Sequence, residues 1–81
     1  MNPDIRVALR EFIVREFKPP VVPGFDSPLL EQGIIDSLAI FMLIGFIDEH
    51  YGVHIDSEDV SIENFETINA IERLVTGARR G

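Results

Sequence analysis

Residues 36–52, DSLAIFMLIGFIDEHYG, decide the fold. The stretch opens on Asp36, whose carboxylate suits the unpaired amides of a first helical turn, and closes on Gly52, which tolerates the left-handed conformation at a helix end. A helix over residues 37–51 is predicted between them. At about 100° per residue from Ser37, the side chains of Ile40, Leu43, Ile44, Ile47 and Tyr51 fall in one arc roughly 100° wide, the expected core face. Leu38, Phe41, Met42 and Gly45 form a second apolar side, joined near the helix end by Asp48 and Glu49. A helix apolar nearly all round is either buried on several sides or holds a docking surface open to solvent. For Phe41, packing under the chain's own loop and exposure both stand open, whereas the angle of Met42 predicts exposure. Gly45 costs about 1 kcal/mol against alanine in a helix interior, which asks for a close approach by the chain's loop or by a partner.

Working outward, Ile5, Leu9, Phe12, Ile13 and Phe17 recur at helical spacing and predict an amphipathic helix over residues 3–17, started by Asn2 and Pro3 and ended by Pro19 and Pro20. Residues 18–35 carry Pro19, Pro20, Pro23, Gly24, Pro28 and Gly33, so they form a long loop, which Val21, Val22, Phe25, Leu29 and Leu30 are expected to pin across a helical core. After Gly52 comes a short element over residues 57–65, in which Ser57 and Ser61 precede acids as hydroxyl caps of one or two single turns. Thr67 caps a last helix over residues 67–76, with Ile68, Ile71, Leu74 and Val75 on one face; Gly77 ends it and residues 77–81 are read as a frayed tail. The expected fold is therefore all-α, a four-helix bundle with a long first loop and a short third helix, in a single domain of 81 residues.

Charge is distributed unevenly. The net charge of -7 arises from four basic and three acidic side chains in residues 1–18, eleven carboxylates with no lysine or arginine in residues 19–72, and three arginines in residues 73–81. Nucleic-acid binding, which needs cations to displace counterions, is excluded for the middle of such a chain, and a basic partner surface is expected instead. There is no cysteine, so disulfides, thiolate metal sites and thiol nucleophiles are excluded. No charge-free apolar stretch reaches the roughly 18 residues of a membrane helix, and a cytoplasmic monomer is expected.

Three kinds of chemistry can be weighed. Ser37 as a hydrolase nucleophile needs a neighbouring base, yet His50 lies thirteen residues along the same helix, about 20 Å away. His54 lies beyond the same end, and no glycine-flanked elbow surrounds Ser37. The acids and histidines between Asp48 and Asp59 fail the calcium-loop pattern, because Val60 stands where a ligand belongs and Ser61 where glycine is required; no metal site is expected. What is left is a serine hydroxyl at an exposed helix entry, flanked by an acid, in the string Gly33-Ile34-Ile35-Asp36-Ser37-Leu38.

In this layout the string resembles the acyl carrier protein family, the phosphopantetheine-attachment domains of fatty-acid, polyketide and nonribosomal peptide systems. The resemblance spans nearly the whole chain. It implies a non-catalytic, stand-alone carrier whose Ser37 bears 4'-phosphopantetheine from coenzyme A, with Asp36 and Leu38 as the cofactor-binding residues beside it and Asp36 also as a contact for the phosphopantetheinyl transferase. It further implies a partner surface of Ala39, Phe41, Met42, Gly45, Asp48 and Glu49, met by the transferase and by an acyl- or aminoacyl-loading ligase or synthase. Ile40, Ile44, Ile47, Phe65 and Ile71 are the side chains that would line a space sheltering an acyl chain. Carriers of bacterial fatty-acid synthesis are similar to one another in bearing several acids along this helix; here Ala39, Met42 and Gly45 stand in that stretch, which looks closer to peptidyl or aminoacyl carriers. The alternative reading is an unmodified acidic adaptor that binds a protein through the same helix.

Overall fold

A computed structural model describes residues 4–80, with side chains through residue 78. Its helices are α1 (Ile5–Phe17), α2 (Ser37–Tyr51), α3 (Ile62–Phe65) and α4 (Ile68–Arg80), with one 3-10 turn at Ser57–Asp59 before α3. No strand occurs among the described residues, and the all-α, four-helix expectation holds.

Each helix starts where a side-chain oxygen meets a free amide. Asp4, rather than Asn2, caps α1 by accepting from the Arg6 amide at 2.9 Å, so the helix begins two residues later than expected; residues 2 and 3 lie outside the described residues. Thr67 accepts from the Ala70 amide at 3.0 Å, and Ser61 from the Asn64 amide at 3.3 Å. The expected element over residues 57–65 is thus two single turns, with Ser61 as a cap; Ser57 instead lies inside the 3-10 turn, which has no side-chain cap. Gly52 ends α2 at φ 65°, its amide donating to the Asp48 carbonyl.

The end of α4 departs from the sequence reading. Gly77 keeps a right-handed backbone, and α4 runs on to Arg80, so there is no tail from residue 77; residue 81 lies outside the described residues. Glycine ends a helix only when it takes the left-handed turn, and here α4 simply continues through it. Lys18 takes the left-handed conformation after α1 (φ 46°, ψ 56°), with its amide donating to the Val14 carbonyl. The following proline disfavours the right-handed helical region at this position, and a non-glycine residue held left-handed costs about 1–2 kcal/mol.

The core is drawn from all four helices and the loop. Leu9, Ile13, Leu29, Leu43, Ile47, Phe65, Ile68, Ile71 and Val75 are fully enclosed, each worth about 1.5–3 kcal/mol of burial. Phe12 stacks on Phe46 with ring centroids 4.4 Å apart, which joins α1 to α2, and α4 packs on α1 and α3. The long loop is fastened at its middle. Leu29 donates its amide to the Glu66 carbonyl at 2.8 Å, Asn69 donates its amide to the Phe25 carbonyl at 3.1 Å, and the guanidinium carbons of Arg6 and Arg10 each lie 4.7 Å from the Phe25 ring centroid. Val21 and Val22, by contrast, are 73% and 61% exposed and pin nothing, because the anchoring has passed to Pro23, Phe25, Leu29 and Leu30.

Candidate functional site

The loop delivers the chain to α2 through a tight wrap. The amides of Ile34 and Ile35 both donate to the Leu29 carbonyl, at 2.9 and 3.3 Å, and Gly33 makes the reversal at φ 71°, a backbone conformation natural to glycine. Ile35 is buried and acts as an anchor, while the next three residues, Asp36, Ser37 and Leu38, are exposed. Asp36 caps α2 by accepting from the Ala39 amide at 2.9 Å, and its carbonyl accepts from the Ile40 amide at 3.0 Å. Ser37 is therefore the first residue of a 15-residue helix, held between a buried anchor and a satisfied cap. Among the described residues nothing accepts a hydrogen bond from the amides of Ser37 or Leu38.

Those two free donors at a helix N-terminus favour an anion, through direct hydrogen bonds and through the helix macrodipole. An exposed hydroxyl on the same turn suits a phosphodiester in both sterics and charge. With no lysine or arginine between residues 19 and 72, amides are the natural partners for a phosphate here.

Beyond Ser37, α2 presents an unusual face. Leu38 and Phe41 are 69% and 66% exposed, and Met42 is 37% exposed. The chain's own loop does not cover Phe41. A β-carbon at Gly45 would meet nothing within 4 Å, so no intramolecular contact requires glycine there. Asp48 and Glu49 are exposed in the last turn and form no ion pair among the described residues. Carboxylates at a helix C-terminus oppose the macrodipole by some 0.3–1 kcal/mol each, so these two carry a cost that nothing in the described fold offsets.

Ala39 is a correction. It is 3% exposed and belongs to the core, not to the partner surface. The buried stripe is Ala39, Leu43, Phe46 and Ile47, at the i, i+4, i+7, i+8 spacing of a core face, while Ile40, Ile44 and Tyr51 of the expected arc are only half-buried. Of the expected acyl-pocket residues, Ile47, Phe65 and Ile71 are closed into the packed core and Ile40 and Ile44 flank it. His50 stacks on Phe46 at 4.3 Å, and its Nδ1 lies 3.2 Å from the Phe46 carbonyl oxygen. Phe46 was missed by the angular reading because α2 is apolar on several sides. Ile62, 73% exposed on α3, adds apolar surface that no spacing signals.

Residues 7–75 match the family described as the phosphopantetheine attachment site. This chain belongs to that family. The carrier domain is also similar to a protein named Probable acyl carrier protein PigG from Serratia sp. (strain ATCC 39006), 39% identical over 54 residues, covering 64% of this chain and 62% of that relative. The chain thus spans under two thirds of that relative's length. Family members are carriers rather than catalysts, and such carrier domains engage synthases and transferases in general. Among the described residues no helix is long and apolar enough to cross a membrane, and no three His, Asp or Glu side chains are grouped to hold a metal ion.

Proposed function

We propose that Ser37 bears 4'-phosphopantetheine and that this protein shuttles thioester-bound acyl or aminoacyl intermediates between enzymes. The systems such a carrier serves are fatty-acid, polyketide, nonribosomal-peptide or related pathways. The observation that carries the reading is the exposed Ser37 hydroxyl on the first turn of α2, beside two amides without acceptors. Those amides hold the phosphate. Asp36 fixes the turn by its bond to the Ala39 amide, which keeps Ser37 and Leu38 presented to a phosphopantetheinyl transferase. The prosthetic group supplies the thiol on which cargo is carried. The chain itself has no cysteine, so no protein thiol competes for an activated acyl group.

The partner surface is Leu38, Phe41, Met42, Gly45, Asp48 and Glu49, with Ala39 withdrawn into the core. Leaving most of Leu38 and Phe41 in water forgoes the larger part of the about 1.5–3 kcal/mol that full burial gives for each, and covering them by an enzyme recovers some of it. Asp48 and Glu49 steer a loading ligase or synthase with a basic surface, chiefly through the rate of encounter. The enclosure of Ile47, Phe65 and Ile71 supports external presentation of the cargo over shelter between the helices. The test is intact-mass measurement after incubation with coenzyme A and a broad-specificity transferase. A gain of one phosphopantetheinyl group, absent from Ser37→Ala, is expected; an unchanged wild-type mass supports the unmodified adaptor instead.

A further inference from the structure

One groove on the described surface lies off α2. It has a volume of about 470 Å³ and runs between the end of α1, residues 18–23 of the loop, and Gln32, Gly33 and Ile34. That volume lies within the roughly 300–1,000 Å³ typical of small-molecule sites. Ile34 precedes Ser37 by three residues, which places one end of the groove within roughly 10 Å of the attachment residue.

Its lining is of mixed polarity. Val21 and Val22 are mostly exposed, Pro19, Pro20 and Ile34 add apolar surface, and Gln32 offers a side-chain amide with no partner among the described residues. The backbone of residues 19–23 makes no hydrogen bond within the described protein, so the amides of Val21 and Val22 and the carbonyls of this proline-rich segment are free. Lys18 is the one basic residue among the described residues that line the groove, held left-handed at its edge, and its ammonium group has no ion-pair partner among them. Residues in sparsely populated backbone conformations tend to cluster at functional sites.

We propose that this groove is the resting place of the phosphopantetheine arm carried by Ser37. A pantetheine chain alternates methyl and methylene segments with two secondary amides, so it needs apolar surface interrupted by free backbone donors and acceptors, as residues 19–23 provide. Val22 and Ile34 receive its geminal methyl groups. Gln32 and the Val21 and Val22 backbone receive its amides, and Lys18 balances the charge of its phosphodiester. The arm lies along the loop rather than along Leu38 and Phe41, which leaves α2 free for partners. This inference rests on Ser37 being the attachment site.

The test compares amide and methyl NMR spectra of the full chain before and after modification, with intact mass confirming the conversion. The expected result is a shift change at Lys18, Val21, Val22, Gln32, Gly33 and Ile34, and nuclear Overhauser contacts from the arm's geminal methyls to the methyls of Val22 and Ile34. In Val22→Glu, a surface change, conversion by mass is expected to remain complete while those contacts are lost and Ile34 returns to its unmodified shift. A wild-type chain left unmodified by an active transferase overturns both the carrier reading and the groove. A modified chain whose changes are confined to Ser37 and the following residues of α2, or a Val22→Glu variant with undiminished contacts to Ile34, overturns the groove alone.

Discussion

Replacing Asp36 with alanine separates what the cap contributes to the fold from what the acid contributes to modification. In the folded protein Asp36 Oδ1 accepts from the Ala39 amide at 2.9 Å, and Ala39 is only 3% exposed, so water cannot readily take over that bond. Loss of an N-cap acceptor costs about 0.5–2 kcal/mol, and the burial of Ala39 argues for the upper half of that range. For a domain of this size 1 kcal/mol moves the unfolding midpoint by roughly 4–8 °C, so a drop of about 5–16 °C is expected. Thermal unfolding followed by far-ultraviolet circular dichroism reads it directly. Asp36→Asn is the control, since asparagine caps about as well as aspartate; it should recover most of the midpoint while lacking the carboxylate's charge. If Asp36→Ala unfolds at the wild-type midpoint, the cap does not order the first turn and the account of how Ser37 is presented is wrong.

Gly45→Ala should raise stability by about 0.5–1 kcal/mol, because the added β-carbon meets nothing within 4 Å and the backbone is helical; a lowered midpoint in chemical denaturation would contradict this. Met42→Glu should change stability by no more than about 0.5 kcal/mol while lowering the kcat/KM of modification roughly tenfold, the cost of one contact of about 1.4 kcal/mol; loss of the fold would mean that Met42 is core. Asp4 is held below its ordinary pKa of 3.8 by the side-chain and then the backbone hydrogen bond of Arg6. Its small contribution is therefore present above that ordinary value and is lost as pH falls through the lowered one. The gap in unfolding midpoint between wild type and Asp4→Asn should hold steady at neutral pH and close in acid; a gap that persists in strong acid would argue against the ion pair.

Local chemistry made the helix starts legible. Asp36, Ser61 and Thr67 cap where side-chain oxygens precede apolar runs, and α2 spans Ser37–Tyr51 as its flanking residues imply. What escaped was rotation. Because α2 is apolar on several sides, its periodicity does not select between the bulky isoleucine arc and the stripe through Ala39, Leu43 and Phe46; the stack of Phe46 on Phe12 decides it, and that contact is tertiary. The loop's anchors escaped for the same reason. Val21 and Phe25 look alike as apolar loop residues, and only the arginines of α1 and the carbonyl bond to Asn69 distinguish the one that packs. The bonds from Arg6 to Asn69 and from Asn69 to Asp26 link residues far apart in sequence and leave no local signature. Of the candidate site, the Asp36 cap and the exposed helix entry at Ser37 are readable from a six-residue string, whereas the exposure of Phe41 and the groove beside Lys18 depend on where the loop does not go.

The central claim is covalent, and mass spectrometry of the intact protein tests it most directly. After incubation with coenzyme A and an active phosphopantetheinyl transferase, the wild-type chain should gain one phosphopantetheinyl group, mapped to the peptide containing Ser37, and Ser37→Ala should gain none. A wild-type chain that keeps its mass, or a Ser37→Ala chain that gains the group elsewhere, would contradict the account.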